Sequence, residues 1–190
     1  MRLVFKAANG TEGSALLEFA IVLPLLVVFV VGIYDFSGAY NQKQKIEHAA
    51  QTGAIVAGGQ PTSDMDPSTA NPDSLQPVVS VIFNSLSAEG VLPLANQGSC
   101  KVPVVPTPNG GLRWTYAIGS CPDTLTIMID RGVVPTGPVG PGLPTAVGTS
   151  VTVTYLYHWR FNSAIQLLFP GASYAATTDL SETATIHNQT

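Results

Sequence analysis

The side chain in the most demanding chemical position is Glu18. It stands at the entrance of a run, Phe19–Tyr34, that reads FAIVLPLLVVFVVGIY and carries no charge. An ionised carboxylate beside hydrocarbon is costly, so such a group either pairs with a partner or sits solvated at headgroup level. Thiol chemistry is confined to Cys100 and Cys121, the only 2 cysteines of the chain. In an oxidising compartment they would close a loop worth roughly 3 kcal/mol of chain entropy; in a reducing one they would remain two buried thiols. No further Cys or His lies at a zinc-ligand spacing from them, so no metal site is expected. Asp64, Asp66 and Ser68 imitate the start of a calcium loop. Thr69 holds the place of the required Gly and Leu75 that of the bidentate Glu, so the segment reads as a turn cluster.

Nucleophilic catalysis needs a Ser or Cys, a His and a carboxylate brought together. His48, His158 and His187 fall on separate elements, and no Gly-x-Ser-x-Gly elbow exists. Asp179 and Glu182 form a close carboxylate pair that reads as solvating on an exposed turn, and His158-Trp159-Arg160 as polar residues closing a strand. The glycines of residues 132–148 fit neither a P-loop nor a dinucleotide turn. Neither enzymatic activity nor a cofactor is expected.

Around these groups the chain divides into three parts. Of its 190 residues only 11% are charged, with a net charge of −4, against about 25% charged in ordinary soluble domains. That composition excludes disorder, and the 8 scattered Lys and Arg give no footprint for nucleic acid. At the front, Ala15, Leu16 and Leu17 extend the apolar run to about twenty residues, enough for a helix to cross about 30 Å of hydrocarbon. A cleaved secretory signal is the competing reading: Arg2 and Lys6 suit its start and Ser37-Gly38-Ala39 its cleavage site, but the apolar core is too long. Arg2 and Lys6 before the span balance Lys43 and Lys45 after it, so charge leaves the orientation open; the cysteines favour an extracytoplasmic C-terminal part. Pro24, inside the span, removes one backbone donor and kinks or loosens the helix.

Helical spacing continues through residues 35–57. Ala39, Ile46, Ala50, Gly53 and Ala57 form one stripe, with Lys43, Lys45 and Glu47 around it and His48 as a solvated residue. Such a stripe suits close packing either against neighbouring helices or against the chain's own domain. Gly58-Gly59 and Pro61 stop the helix, giving a length on the order of 65 Å from Ala15.

The rear, punctuated by 14 of the 15 prolines, begins with a loop over residues 60–76. A second helix is predicted over 77–88, with Val78, Val79, Ile82, Phe83 and Leu86 on one face and Gly90 ending it. Strands are predicted at Trp114–Gly119, Leu125–Asp130, Val151–Tyr157 and Thr183–His187. Val151, Val153, Tyr155 and Tyr157 share one face of the third. Residues 132–148 read as a loop, and Phe161–Phe169 as a second apolar patch, either core or facing membrane or subunits. The fold class is α+β: a long N-terminal transmembrane and stalk helix, then a small antiparallel sheet domain with one short helix.

The segment Gly13-Ser14-Ala15-Leu16-Leu17-Glu18-Phe19, with the apolar run behind it, resembles the processing site of type IV pilin-like proteins. Over residues 10–57 the chain resembles the TadE-like minor pseudopilins of tight-adherence (Flp) pilus systems. Glu18-Phe19-Ala20 and Pro24 carry most of that likeness, and the LSETAT stretch near the C-terminus adds to it. The resemblance implies a leader over 1–13, a transmembrane and stalk helix over 14–59 and an extracytoplasmic α+β domain over 60–190. It implies cleavage between Gly13 and Ser14 by a prepilin peptidase, leaving an amine at Ser14. Glu18, one turn further on, would neutralise that amine on a neighbouring subunit and set axial register, with Phe19 and Pro24 part of the same assembly segment. Glu12 departs from the pattern by diluting the leader's positive charge. The implied partners are other pilins and pseudopilins, the peptidase, the inner-membrane assembly platform and the membrane. The implied location is the bacterial inner membrane, single-pass, with entry into the pilus open. The length argues for a minor subunit that initiates, caps or regulates the filament, since Flp pilins are little more than the helix. The alternative is a single-span anchored binding or adhesion domain that never enters a filament; a third reading is an exported soluble protein.

Overall fold

Helix α1 runs from Thr11 to Gly58 without interruption at Pro24. The structure, a computed structural model, describes residues 11–66, 68–92, 100–102, 105–134, 147–161, 171 and 176–189. The helix starts four residues before the Ala15 expected from the sequence and ends at the glycine that the stop signal marks. Beyond a turn of 3-10 helix at Asp73–Leu75, α2 covers Gln76–Ala88, with Pro77 in the first turn, where its missing donor costs nothing. Gly90, at φ +69°, reverses the chain while the Val91 N–H closes on the Leu86 carbonyl at 3.0 Å.

Five strands follow: β1 (Thr107–Pro108), β2 (Arg113–Cys121), β3 (Asp123–Val133), β4 (Gly148–His158) and β5 (Thr177–His187). Each is antiparallel to the next, in the order β1-β2-β3-β4-β5. The α+β class read from the sequence is therefore the observed one. The alternation in β4 puts Val151, Val153, Tyr155 and Tyr157 on the buried face, as period two requires. Against the sequence expectation of a loop over 132–148, Gly132 and Val133 end β3 and Gly148 opens β4. β1 was not foreseen, and β5 begins six residues before Thr183, because its first residues (TTDLSE) carry little apolar alternation. Asp179 and Glu182 therefore stand on a strand, not on an exposed turn; three positions apart, they face opposite sides of the sheet.

The chain forms two compact units. One comprises Ala39–His158 and Thr177 onward; the other comprises the helix up to Gly38 with the excursion from Trp159 to Ala176. In the first unit a single core joins α1 (Ile46, Ala49, Ala50, Ala54, Ala57), α2 (Val78, Val79, Ile82, Leu86) and the inner sheet face (Trp114, Tyr116, Ile127, Ile129, Val151, Val153). The stripe of small residues on α1 is thus buried on the chain's own domain. Gly53 lets α1 lie close against α2: a Cβ there would lie 2.5 Å from Ile82 Cδ1 and Cγ1. Lys43 pairs with Glu182 at 3.1 Å, and the Gln189 N–H reaches the Gly58 carbonyl at 3.0 Å. Helix and strand both advance by about 22 Å between these ties, so this part of α1 runs parallel to β5.

Candidate functional site

The N-terminal part of α1 has the surface of a helix made for apolar surroundings. From Ser14 to Tyr34 none of its residues is buried, and Phe19 is 62% exposed. The helix is long and apolar enough to cross a membrane, with its most apolar stretch entirely uncovered. Water would not leave such a surface bare unless something else covers it. Gly13 and Ser14 lie within the helix, and Glu18 follows Ser14 by one turn, exposed on the same face. Pro24 leaves the Ala20 carbonyl without its helical donor, yet the helix continues to Gly58. Residues 1–10 of the expected leader lie outside the described residues.

A second constellation, unseen in the sequence reading, sits where the apolar run ends. Asp35 is 2% exposed, and its Oδ2 accepts the Phe161 N–H at 2.7 Å. The Phe36 ring meets the Trp159 ring edge-on, centroids 5.2 Å apart. Only Asp35's place after Tyr34 hinted at this, since a carboxylate closing an apolar run needs a donor. The rest of the Phe161–Phe169 patch lies outside the described residues.

The sheet unit places the remaining candidates. Cys100 and Cys121 form a disulfide, Cα atoms 4.8 Å apart, that ties the chain after α2 to the end of β2. Both are buried, and the Tyr155 hydroxyl donates to the Cys121 carbonyl. His48 is exposed but paired: its Nδ1 lies 2.7 Å from Glu89 Oε1, beside Lys45 Nζ, which donates to the Glu89 carbonyl at 2.7 Å. His158 pairs with Asp123 at 2.8 Å, joining the ends of two adjacent strands, and His187 lies at the end of β5. The three histidines are not brought together. Asp66 Oδ1 accepts the Ser68 N–H at 2.8 Å, whereas Asp64 turns to the Ser74 N–H at 2.8 Å. Among the described residues no three His, Cys, Asp or Glu are grouped to hold a metal. Most of the loop at 132–148 lies outside the described residues.

Two buried polar groups escaped the sequence reading. Arg131 is 1% exposed and donates from Nη2 to the Gln60 carbonyl at 2.9 Å. Burial depresses its basicity, and the Asp64 carboxylate opposes that effect. Burial pushes Asp64 the other way, upward, but hydrogen bonds headed by the Ser74 N–H outweigh it and leave the group below its usual range. Period two from Leu125, Ile127 and Ile129 already puts Arg131 on the inner face. Tyr116 is fully buried, and burial pushes its phenol up to about 12.

Fold and site define a class: an α+β protein whose N-terminal helix is apolar, exposed and of membrane-spanning length. Residues 13–54 match the family described as TadE-like protein, and over them the chain carries a TadE-like family domain. The match begins at Gly13, takes in Glu18, Phe19 and Pro24, and ends inside the buried stripe. The family implies a role in tight-adherence pilus assembly, association with that machinery and an envelope location, and its proteins are generally non-enzymatic. No curated protein and no solved structure matches the chain.

Proposed function

We propose that this chain is a minor pseudopilin that takes part in assembling a tight-adherence-type pilus, as an initiating, capping or regulating subunit. The observation that carries this reading is the coincidence of the family match, starting at Gly13, with a helix left uncovered from Ser14 to Tyr34. A prepilin peptidase cuts between Gly13 and Ser14, removing the leader 1–13. The helix 14–59 holds the subunit in the inner membrane, and residues 60–190, stapled by Cys100–Cys121, stand outside. In the low dielectric of the filament the Ser14 amine and the Glu18 carboxylate of neighbouring subunits attract far more strongly than in water, which sets the axial register. Phe19 and the Pro24 segment pack in the same bundle. Because Ile46, Ala50 and Ala57 are buried in the subunit's own core and Gly53 packs on Ile82 of α2, contact with other pilin helices falls mainly to the uncovered residues 14–34. The test is Glu18→Ala in cells carrying the whole assembly system. Cleavage after Gly13 continues in that variant and pili are lost; normal pilus numbers would refute the register role.

A further inference from the structure

The apolar face of α1 ends in a belt of aromatic rings. Tyr34 is 68% and Phe36 60% exposed, and aromatic residues at such a boundary are typical of a membrane–water interface, where an apolar body meets a polar tip. The residues that directly follow β4 meet this level of the helix. Trp159 sets its ring edge-on against Phe36 at 5.2 Å, the Phe161 N–H bonds the Asp35 carboxylate at 2.7 Å, and the Trp159 N–H closes the base of the excursion on the Ala176 carbonyl at 2.9 Å. These ties serve a physical need. A carboxylate directly after about twenty apolar residues sits where hydrocarbon gives way to headgroups, and the Phe161 peptide supplies it with a fixed donor. What remains on the outside is Arg160, exposed, and Trp159, half-buried. Guanidinium and indole are the pair of groups that suit phosphate and the headgroup boundary.

We propose that Trp159-Arg160-Phe161 is a second membrane contact, a foot that lies in the phospholipid headgroup layer beside the point where α1 leaves the bilayer. The bilayer is the occupant favoured because the foot is continuous with the uncovered apolar surface of α1. The proposal rests on the reading of α1 as a membrane span. The foot fixes the depth at which the helix sits, with Trp159 as the depth marker.

The chain has 2 tryptophans, and the other, Trp114, is buried in the core at 1% exposure. The full chain is reconstituted in phosphatidylcholine–phosphatidylglycerol vesicles whose acyl chains carry bromine either near the headgroup or near the bilayer centre. The emission of Trp159 is taken as the difference between the native chain and Trp159→Phe, which leaves the core untouched. The expected result is about twofold quenching by shallow bromine and less by deep bromine, as for an interfacial indole. Phe29→Trp in the Trp159→Phe background reports on the span itself and is quenched by deep bromine. If that probe is quenched and Trp159 is not, the foot is overturned and its exposed face belongs to a protein partner. If neither is quenched, the span and the foot fall together.

Discussion

The contact between Gly53 and Ile82 offers a double-mutant test of how the stalk half of α1 is built into the domain. Gly53→Ala removes a helix-interior glycine, which by propensity alone stabilises by about 1 kcal/mol. The new methyl, however, would start 2.5 Å from Ile82 Cγ1 and Cδ1, and overpacking of this kind costs about 1–3 kcal/mol. The net expectation is a loss of about 0–2 kcal/mol. Ile82→Ala alone opens a cavity and loses about 2–5 kcal/mol. In that background the same methyl enters vacated space: propensity contributes about 1 kcal/mol and burial about 0.8 kcal/mol more. Gly53→Ala should therefore become stabilising by about 2 kcal/mol, a coupling of about 2 kcal/mol or more between the sites. Urea titration of the full chain in mild detergent, followed by Trp114 emission in a Trp159→Phe background, reads all four corners of the cycle. Equal effects of Gly53→Ala in both backgrounds, within about 0.5 kcal/mol, would refute the close approach and the packing of α1 on α2.

The other expectations concern the staple, the buried phenol and the exposed carboxylate. Replacing both Cys100 and Cys121 by Ala frees a loop of 21 residues and should lower stability by about 3 kcal/mol; an unchanged urea midpoint would mean that the staple constrains nothing. The phenol of Tyr116, pushed up to about 12 by burial, favours the folded state while neutral. That stability is complete below about pH 10 and is lost as pH rises towards 12, so Tyr116→Phe should shift alkaline unfolding to higher pH. Identical alkaline transitions in the two proteins would contradict the burial. For Glu18→Ala, pulse-labelled chains should be shortened at the normal rate while surface pili disappear; a parallel loss of cleavage would move Glu18 from register to peptidase recognition.

Much of the architecture was legible because its signals are local and periodic. VTVTYLY alternates so regularly that its inner face follows from period two alone, and Gly58-Gly59 ends α1 where a glycine pair should. α2 declared itself through Pro77 and the spacing of Val78, Val79, Ile82 and Leu86. What stayed hidden depends on partners far away in sequence. The first half of β5 has little apolar alternation and is held by its backbone ladder to β4, from His158 opposite Thr177 to Val153 opposite Glu182, with hydroxyl contacts such as Thr154 to Ser181 at 2.8 Å beside it. Burial of Asp35 depends on a peptide 126 residues further on. The carboxylate partners of His48 and His158, Glu89 and Asp123, likewise lie far away in sequence. At the candidate site the order of Gly13, Ser14, Glu18, Phe19 and Pro24 on one helix was readable directly. The sequence left open whether the small-residue stripe faces other helices or its own domain, and the structure puts its Ile46–Ala57 part in the domain core.

The central claim rests on what becomes of the bond between Gly13 and Ser14. Intact mass and N-terminal sequencing of the protein extracted from membranes test it directly, in cells with and without the prepilin peptidase. A pseudopilin begins at Ser14 when the peptidase is present and at Met1 when it is absent. A chain that begins at Met1 in both would contradict the pseudopilin reading and leave α1 as an anchor only.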